Sequence, residues 1–426
     1  MKKILIFIVV LIATSLISGV AYSKAKGTIS GRVTDPSGNG IANVSVDVFD
    51  LYDIWTGGSS TDGNGYYGLK VPAGTYTLHF SPLPTGGYYV PQWYDNKNNA
   101  QAANANLVTV IAFRTTFNIN AQLQIGGAIS GQVTDASANG IINVAVAAFD
   151  PFDNWMGGST TDSNGEYMFN VPAGSYKVHF KPLSSNAYDA PEWYDNKNSH
   201  QVADLVTVTA SQITFNVNAQ LEAGGIISGR VTDPSGNPIA NPNVNVYAYD
   251  PDYNWMSGSS TDSDGNYMFN VPTGTWKIRF SPLPSRKFFV GYYAHEWYDS
   301  ESRFGLADLV SVTVLQTTSG INGQIEIGGK VSGQVTDVSG NGINNINVNV
   351  FDLNNNFIAS TTTYREGLYR IVLPVGDYKV GFFTGPETIG NYATKWFNNK
   401  NDFQHGDIVK VMKLNNMRIN VRLQFK

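Results

Sequence analysis

The sequence predicts an all-β fold built as four tandem sandwich modules of about seven strands each. Three observations carry this. The run Ile29-Ser30-Gly31-Arg32-Val33-Thr34-Asp35 returns with small changes at 129–135, 227–233 and 331–337. Its glycines fall at 31, 131, 229 and 333, a domain-sized period at which each copy can bury its own core. Between these runs, apolar residues alternate with period two in short stretches punctuated by Gly, Pro and Asn, the pattern of short strands joined by turns.

In chain order, residues 1–25 stand apart. Lys2 and Lys3 precede the apolar run from Ile4 to Ile17, and small residues lead to Ser23. This reads as an export signal cleaved after Ser23 or Ala25, since the run is short for a span of about 20 residues. The mature chain is expected outside the cytoplasm, secreted or at the cell surface, as a monomer without a membrane span.

The modules are expected at 26–124, 125–222, 223–326 and 327–426. In the first, Ile29, Gly31 and Val33 alternate with polar neighbours, and Pro36 to Gly40 form a turn. Val44, Val46 and Val48 follow, and a short strand lies near Trp55 to Ser60. Then come Tyr67, Leu69 and Val71, then Tyr76, Leu78 and Phe80. After a long irregular stretch come Leu107 to Val110 and a last strand with Phe117, Ile119, Ala121 and Leu123. The inward set of the fourth strand stays apolar in every copy: Tyr176/Val178/Phe180, Trp276/Ile278/Phe280 and Tyr378/Val380/Phe382. Linkers such as Gln124 to Gly127, Gly224-Gly225 and Gly328-Gly329 are so short that joints should be restricted and the string elongated.

Composition narrows the function. Charged residues are 14% of the chain, below the usual value of about 25%. A net charge of −5 gives no electrostatic reason to expect nucleic acid or an anionic membrane. There is no cysteine, so neither disulfides nor a lipidated cysteine are available. Charge is uneven. The first three modules carry five, three and six basic residues against six, ten and ten acidic ones, whereas the last carries eleven against seven. Arg370, Arg418 and Arg422 fall on its third and last strands. The reversal suits docking on an anionic surface polymer, or is simple drift of a solvated face.

With the strands placed, the runs Ile29 to Asp35, Thr61-Asp62-Gly63-Asn64-Gly65-Tyr66 and Val71-Pro72-Ala73-Gly74-Thr75-Tyr76 resemble the carboxypeptidase regulatory-like domain. The resemblance implies an Ig-like or transthyretin-like β-sandwich, grouped with carbohydrate-binding-like modules and usually an accessory without catalysis. It recurs once per module. The fourth departs most, with Thr363-Tyr364-Arg365-Glu366-Gly367 in place of the Asp-containing turn. Related surface modules close a Lys–Asn cross-link from the first strand. Here only Lys330 fits, against Thr28, Ala128 and Ile226, so it is not a shared device.

Catalytic motifs are missing. His79, His179, His200, His295 and His405 form no triad order or metalloprotease motif. Asp162-Ser163-Asn164-Gly165 and Asp262-Ser263-Asp264-Gly265 resemble the start of a calcium loop but lack the distal bidentate Glu. A hairpin turn explains them, and a weak structural calcium is the most they support. No other cofactor is expected.

The most distinctive stretch is Trp93-Tyr94-Asp95-Asn96-Lys97, repeated as Trp193-Tyr194-Asp195-Asn196-Lys197, Trp297-Tyr298-Asp299-Ser300-Glu301 and Trp396-Phe397-Asn398-Asn399-Lys400. Aromatic faces stack on sugar rings while Asp and Asn bond hydroxyls. The candidate carbohydrate-binding residues are therefore Trp93, Tyr94, Asp95, Trp193, Tyr194, Asp195, Trp297, Tyr298, Asp299 and Trp396. The competing reading makes the Trp a plug for the open end of the sandwich, with Asp-Asn capping a helical turn. The expected function is a non-catalytic protein binding polysaccharide or another cell-surface polymer. The alternatives are a structural spacer or adhesion stalk, and an accessory of an extracellular hydrolase.

Overall fold

The computed structural model describes residues 25–425 apart from 52–53, 84–86, 98–104, 184–187, 240–243, 283–291, 300–302, 386–387 and 389. The expected export signal and the Ser300-Glu301 tail of the third aromatic stretch lie outside the described residues. The chain is all-β. The first module comprises β1 (Lys26–Thr34), β2 (Ser45–Asp50), β3 (Trp55–Ser60), β4 (Tyr66–Pro72) and β5 (Gly74–Ser81). It continues with β6 (Gln92–Trp93), β7 (Val108–Val110), β8 (Thr115–Thr116) and β9 (Ala121–Gln122). One sheet runs β3-β2-β5-β6 with β7 also on β5. The other runs β4-β1-β8 with β9 further along β1, and the same two sheets recur in each later module.

Period two places the core. Ile29, Val33, Val46, Val48, Leu78 and Phe80 are fully buried between the sheets, and Phe180, Phe280 and Phe382 repeat Phe80. The expected last strand is broken, so nine ladder segments stand where about seven strands were expected. Asn118 takes a left-handed φ of 62° between β8 and β9, and the Ile119 carbonyl accepts the Tyr67 hydroxyl at 2.6 Å. That carbonyl lies so close to Gly31 that any side chain there would collide with it. The break keeps Ile119, Ala121 and Leu123 inside but turns Phe117 outward, 68% exposed.

β1 pairs antiparallel with β4 but parallel with β8 and β9. The chain therefore enters a module at one end of β1 and leaves at the opposite end, so successive modules follow head to tail. The linkers are tied down. Val90 N donates to Gln124 O at 3.0 Å and Gly126 N to Tyr88 O at 2.7 Å, while Gly126 O accepts Ser211 N of the next module. The isolated bridges Tyr89–Ile125, Asp189–Ala223 and Tyr293–Ile327 repeat this. Each linker is a strand shared by two modules. Gly126 meets Val90 of one module and the Val171 carbonyl of the next, leaving no room for a Cβ.

Candidate functional site

Each aromatic stretch begins as a two-residue strand. Trp93 is the ladder partner of His79, which alternates with the core residues Leu78 and Phe80. Ladder partners share a face, so the indole lies on the outer face of the five-stranded sheet and does not plug the gap between sheets. There it packs on Phe49 at 5.5 Å and His79 at 4.8 Å between ring centres. Trp193 packs on Phe149 and His179, Trp297 on Tyr249 and Phe304, and Trp396 on Phe351, Phe383 and Phe403. Trp193 and Trp297 are 2% exposed and Trp396 6%, whereas Trp93 is half-buried. Tyr94, Tyr194, Tyr298 and Phe397 are half-buried against the module cores.

The polar residues that follow have a backbone reason. Trp93 N donates to Lys97 O at 2.6 Å and Lys97 N returns to Trp93 O at 3.2 Å, closing a tight loop. Asp95 and Asn96 inside it take φ of 64° and 59°, and Asp195, Asn196, Asp299, Asn398 and Asn399 do the same. Asn and Asp tolerate the left-handed region better than other residues with a side chain. The loop is thus a left-handed turn, in place of the expected helical cap. Among the described residues only the fourth copy has a three-residue 3-10 turn, Phe397–Asn399. The Asp and Asn side chains face solvent, and Asp95 accepts Asn106 Nδ2 at 2.6 Å.

The structure places the second of these stretches at a module joint. Trp255 opens the third strand of the third module and meets both Trp193, at 6.4 Å, and His179, at 5.0 Å, of the second. His179 also hydrogen-bonds the Met256 backbone. Burial, then the Lys181 charge, holds its imidazole down to about 3. At the next joint His295 reaches the Ile358 carbonyl at 3.3 Å, and burial with the Arg279 charge again holds it to about 3. His179 lies within the strand Gly174–Pro182 and His295 just ahead of the strand Glu296–Trp297, yet they serve successive joints. Arg303 and Asp352 bridge the same joint at 3.3 Å. Amides complete the contacts. Asn170 Nδ2 donates to the Gly87 and Tyr89 carbonyls, and Asn270 Nδ2 to that of Asp189. Sequence reading missed His179, His295, Asn170 and Asn270 as joint residues. The one available signal was an outward-facing His or Asn where a solvated strand needs neither.

His200 lies 3.5 Å from Asp153 and His405 2.8 Å from Asp402, both near the surface. The suspected calcium loops are Asx turns. Asp162 Oδ1 accepts the N–H groups of Asn164 and Glu166, with Gly165 at φ 77°. Among the described residues no cluster of three or more acids and histidines gathers for a metal, and no helix is long and apolar enough to cross a membrane. A shallow polar groove of about 380 Å³ flanks the second loop, between Tyr194, Asp195 and Asn196 on one side and Gln132, Asn216 and Asn218 on the other.

A family model for the carboxypeptidase regulatory-like domain matches residues 28–110, 128–222, 226–286 and 330–390. Similar proteins include serine-aspartate repeat-containing protein D of Staphylococcus aureus strain Newman, 26% identical over 388 residues, covering 81% of this chain and 29% of that protein. Serine-aspartate repeat-containing protein F of Staphylococcus epidermidis is 24% identical over 282 residues, covering 58% of this chain and 16% of that one. The chain spans less than a third of the length of these relatives. Among solved structures, the Bacillus anthracis TIE protein aligns with a TM-score of 0.21 at 12% identity, over 95% of this chain and 69% of that one. The major pilin subunit BcpA of Bacillus cereus aligns with a TM-score of 0.17 at 11% identity, over 94% of this chain and all of that one. The chain belongs to the carboxypeptidase regulatory-like domain family.

Proposed function

We propose that this tandem of carboxypeptidase regulatory-like modules is a non-catalytic spacer, a stalk outside the cytoplasm that holds an attached partner at a set distance. The observation that carries this is the joint. A linker strand shared between modules, amide clamps from Asn170 and Asn270, and a buried aromatic contact leave little freedom for rotation. The similarity to long serine-aspartate repeat-containing proteins supports a modular role. Small-angle scattering on residues 26–426 tests it. A line of four modules, each about 30 Å along its longest strand, gives a radius of gyration of roughly 35 Å, against about 21 Å for a single globule of this length. The compact value would refute the proposal.

A second reading, polysaccharide contact through the aromatic loops, is favoured by the polar groove beside Tyr194 and Asp195. Neutral amides and an aromatic edge are what sugar hydroxyls and C–H faces require. With three of the four indoles buried, the Tyr and Asp edges are where contact would be made, at Tyr94/Asp95, Tyr194/Asp195 and Tyr298/Asp299. Affinity electrophoresis in neutral polysaccharides should show retardation that Asp195→Gly/Asn196→Gly reduces, since glycine keeps the left-handed turn. Unchanged mobility across a broad panel overturns this reading and leaves the spacer intact.

A further inference from the structure

We propose that the outer face of the last module's first sheet is a docking surface for an anionic polysaccharide. Its first strand, Gly329–Thr336, pairs with Leu368–Leu373 on one side and with Asn416–Arg418 and Val421–Arg422 on the other. Ser332 is the ladder partner of both Arg370 and Arg418, Lys330 lies two residues along, and Thr336 partners Arg422. Val331, Gly333 and Val335 point into the core. By the two-residue alternation, Lys330, Ser332, Gln334 and Thr336 share the outer face with the three arginines.

These four positions are basic only in this module, although Arg32 and Lys70 lie on the corresponding face of the first module and Arg230 on that of the third. Positions equivalent to Arg370 hold Gly68, Met168 and Met268, and those equivalent to Arg418 hold Phe117, Phe215 and Ser319. Those equivalent to Arg422 hold Gln122, Gln220 and Gln324, and those equivalent to Lys330 hold Thr28, Ala128 and Ile226. Four of the module's eleven basic residues thus share one face. Arg370 and Arg418 stand about 10 Å apart across the strands, and Lys330 and Thr336 about 20 Å along them. Arg418 and Arg422 are exposed and Arg370 and Lys330 half-buried. Among the described residues none of the four cations bridges a carboxylate, and Lys330 instead lies 5.7 Å from the Tyr292 ring. The nearby acid Asp337 is held by its own turn, accepting from Ser339 N, Asn341 N and Asn341 Nδ2.

The surface chemistry selects the partner class. The residues between the cations are hydroxyls and amides, Ser332, Gln334 and Asn416, which suit sugar hydroxyls. Single-stranded nucleic acid would call for aromatic platforms, and the row presents none. Duplex DNA would call for an element that enters a groove, and this face is a sheet surface.

The test uses residues 26–426 and polygalacturonate, with neutral dextran, duplex DNA and anionic phospholipid vesicles as comparators. The chain should bind polygalacturonate and not dextran, with affinity falling as salt rises. Arg370→Gln/Arg418→Gln/Arg422→Gln should lose roughly tenfold or more in affinity and flatten the salt dependence by about one contact per arginine, with an unchanged melting temperature. Lys70→Gln/Arg114→Gln/Lys410→Gln removes equal charge elsewhere and should stay near the parent. Equal losses in both variants, no binding to polygalacturonate, or tighter binding to DNA or vesicles overturns the assignment.

Discussion

Acidification should open the joint between the second and third modules, and His179 sets where that begins. The imidazole is 2% exposed, packed between Trp193 and Trp255 and hydrogen-bonded across the joint. Its ordinary value of 6.5 is pushed down to about 3, first by burial and then by Lys181. A depressed histidine prefers to be neutral in the closed state, so its contribution is whole above about 6.5 and is lost as pH falls toward 3. That gap corresponds to roughly 5 kcal/mol at full protonation and to about 2 kcal/mol at pH 5. Glu192 acts in the opposite sense. Burial, then Glu222 and Asp195, pushes its carboxyl up to about 7, so the folded state gains as pH falls from about 7 to 4.5. The joint should therefore begin to open as pH falls below about 6.5, and Glu192→Gln removes the opposing contribution so that the histidine's is read alone. Because the chain has no cysteine, single cysteines placed at Asn164 and Asp264 can carry a fluorescent donor and acceptor. Transfer efficiency is then followed from pH 7.5 to 3.5 in Glu192→Gln and in Glu192→Gln/His179→Gln. The same midpoint with and without the histidine would refute the reasoning.

Other outcomes follow from the same geometry. Asn170→Leu removes two donors from the Gly87 and Tyr89 carbonyls. It should loosen the first joint by about 1–3 kcal/mol, seen as faster amide exchange around residues 88–90 and 124–126. Gly31→Ala drives a methyl into the Ile119 carbonyl and should cost about 1–3 kcal/mol in the first module's thermal unfolding, while Gly63→Ala, with open space around it, should not. Asn96→Val should cost roughly 1–2 kcal/mol because its φ is 59°, and Asn96→Gly should be close to neutral by the same melting measurement.

The cores were legible because burial on one face writes itself as alternation. Ile29, Val33, Val46, Val48, Leu78 and Phe80 are inside as the pattern requires. Phe117 misled because it continues that alternation up to the break at Asn118, and a left-handed residue in mid-strand leaves no hydrophobic signature. The aromatic loops were legible as a repeated feature but not as a location. Whether Trp193 meets solvent depends on Trp255 and Met256, some sixty residues onward, and a single module's pattern carries no term for its neighbour. The Asp-Asn pair suggested hydroxyl chemistry, whereas its backbone angles account for the residue type first. His179 faces outward from its own sheet, alternating with the core residues Val178 and Phe180. That face is covered only because another module arrives.

The parallel pairing of β1 with β8 and β9 has a mechanical meaning. A pull on the two ends of the chain reaches each module at the start of its first strand and the end of its last. Those strands are hydrogen-bonded side by side and run the same way. Tension therefore loads the bonds around Thr28–Thr115 and Val33–Ala121 in shear, all together, and does not peel them one at a time. The side chains of Ile29 and Val33 must slide through the core before the strands part. Resistance to pulling is set by the unfolding rate of a single module. Drawn out at constant speed, the chain should lengthen in four abrupt steps, each releasing one module while the others hold.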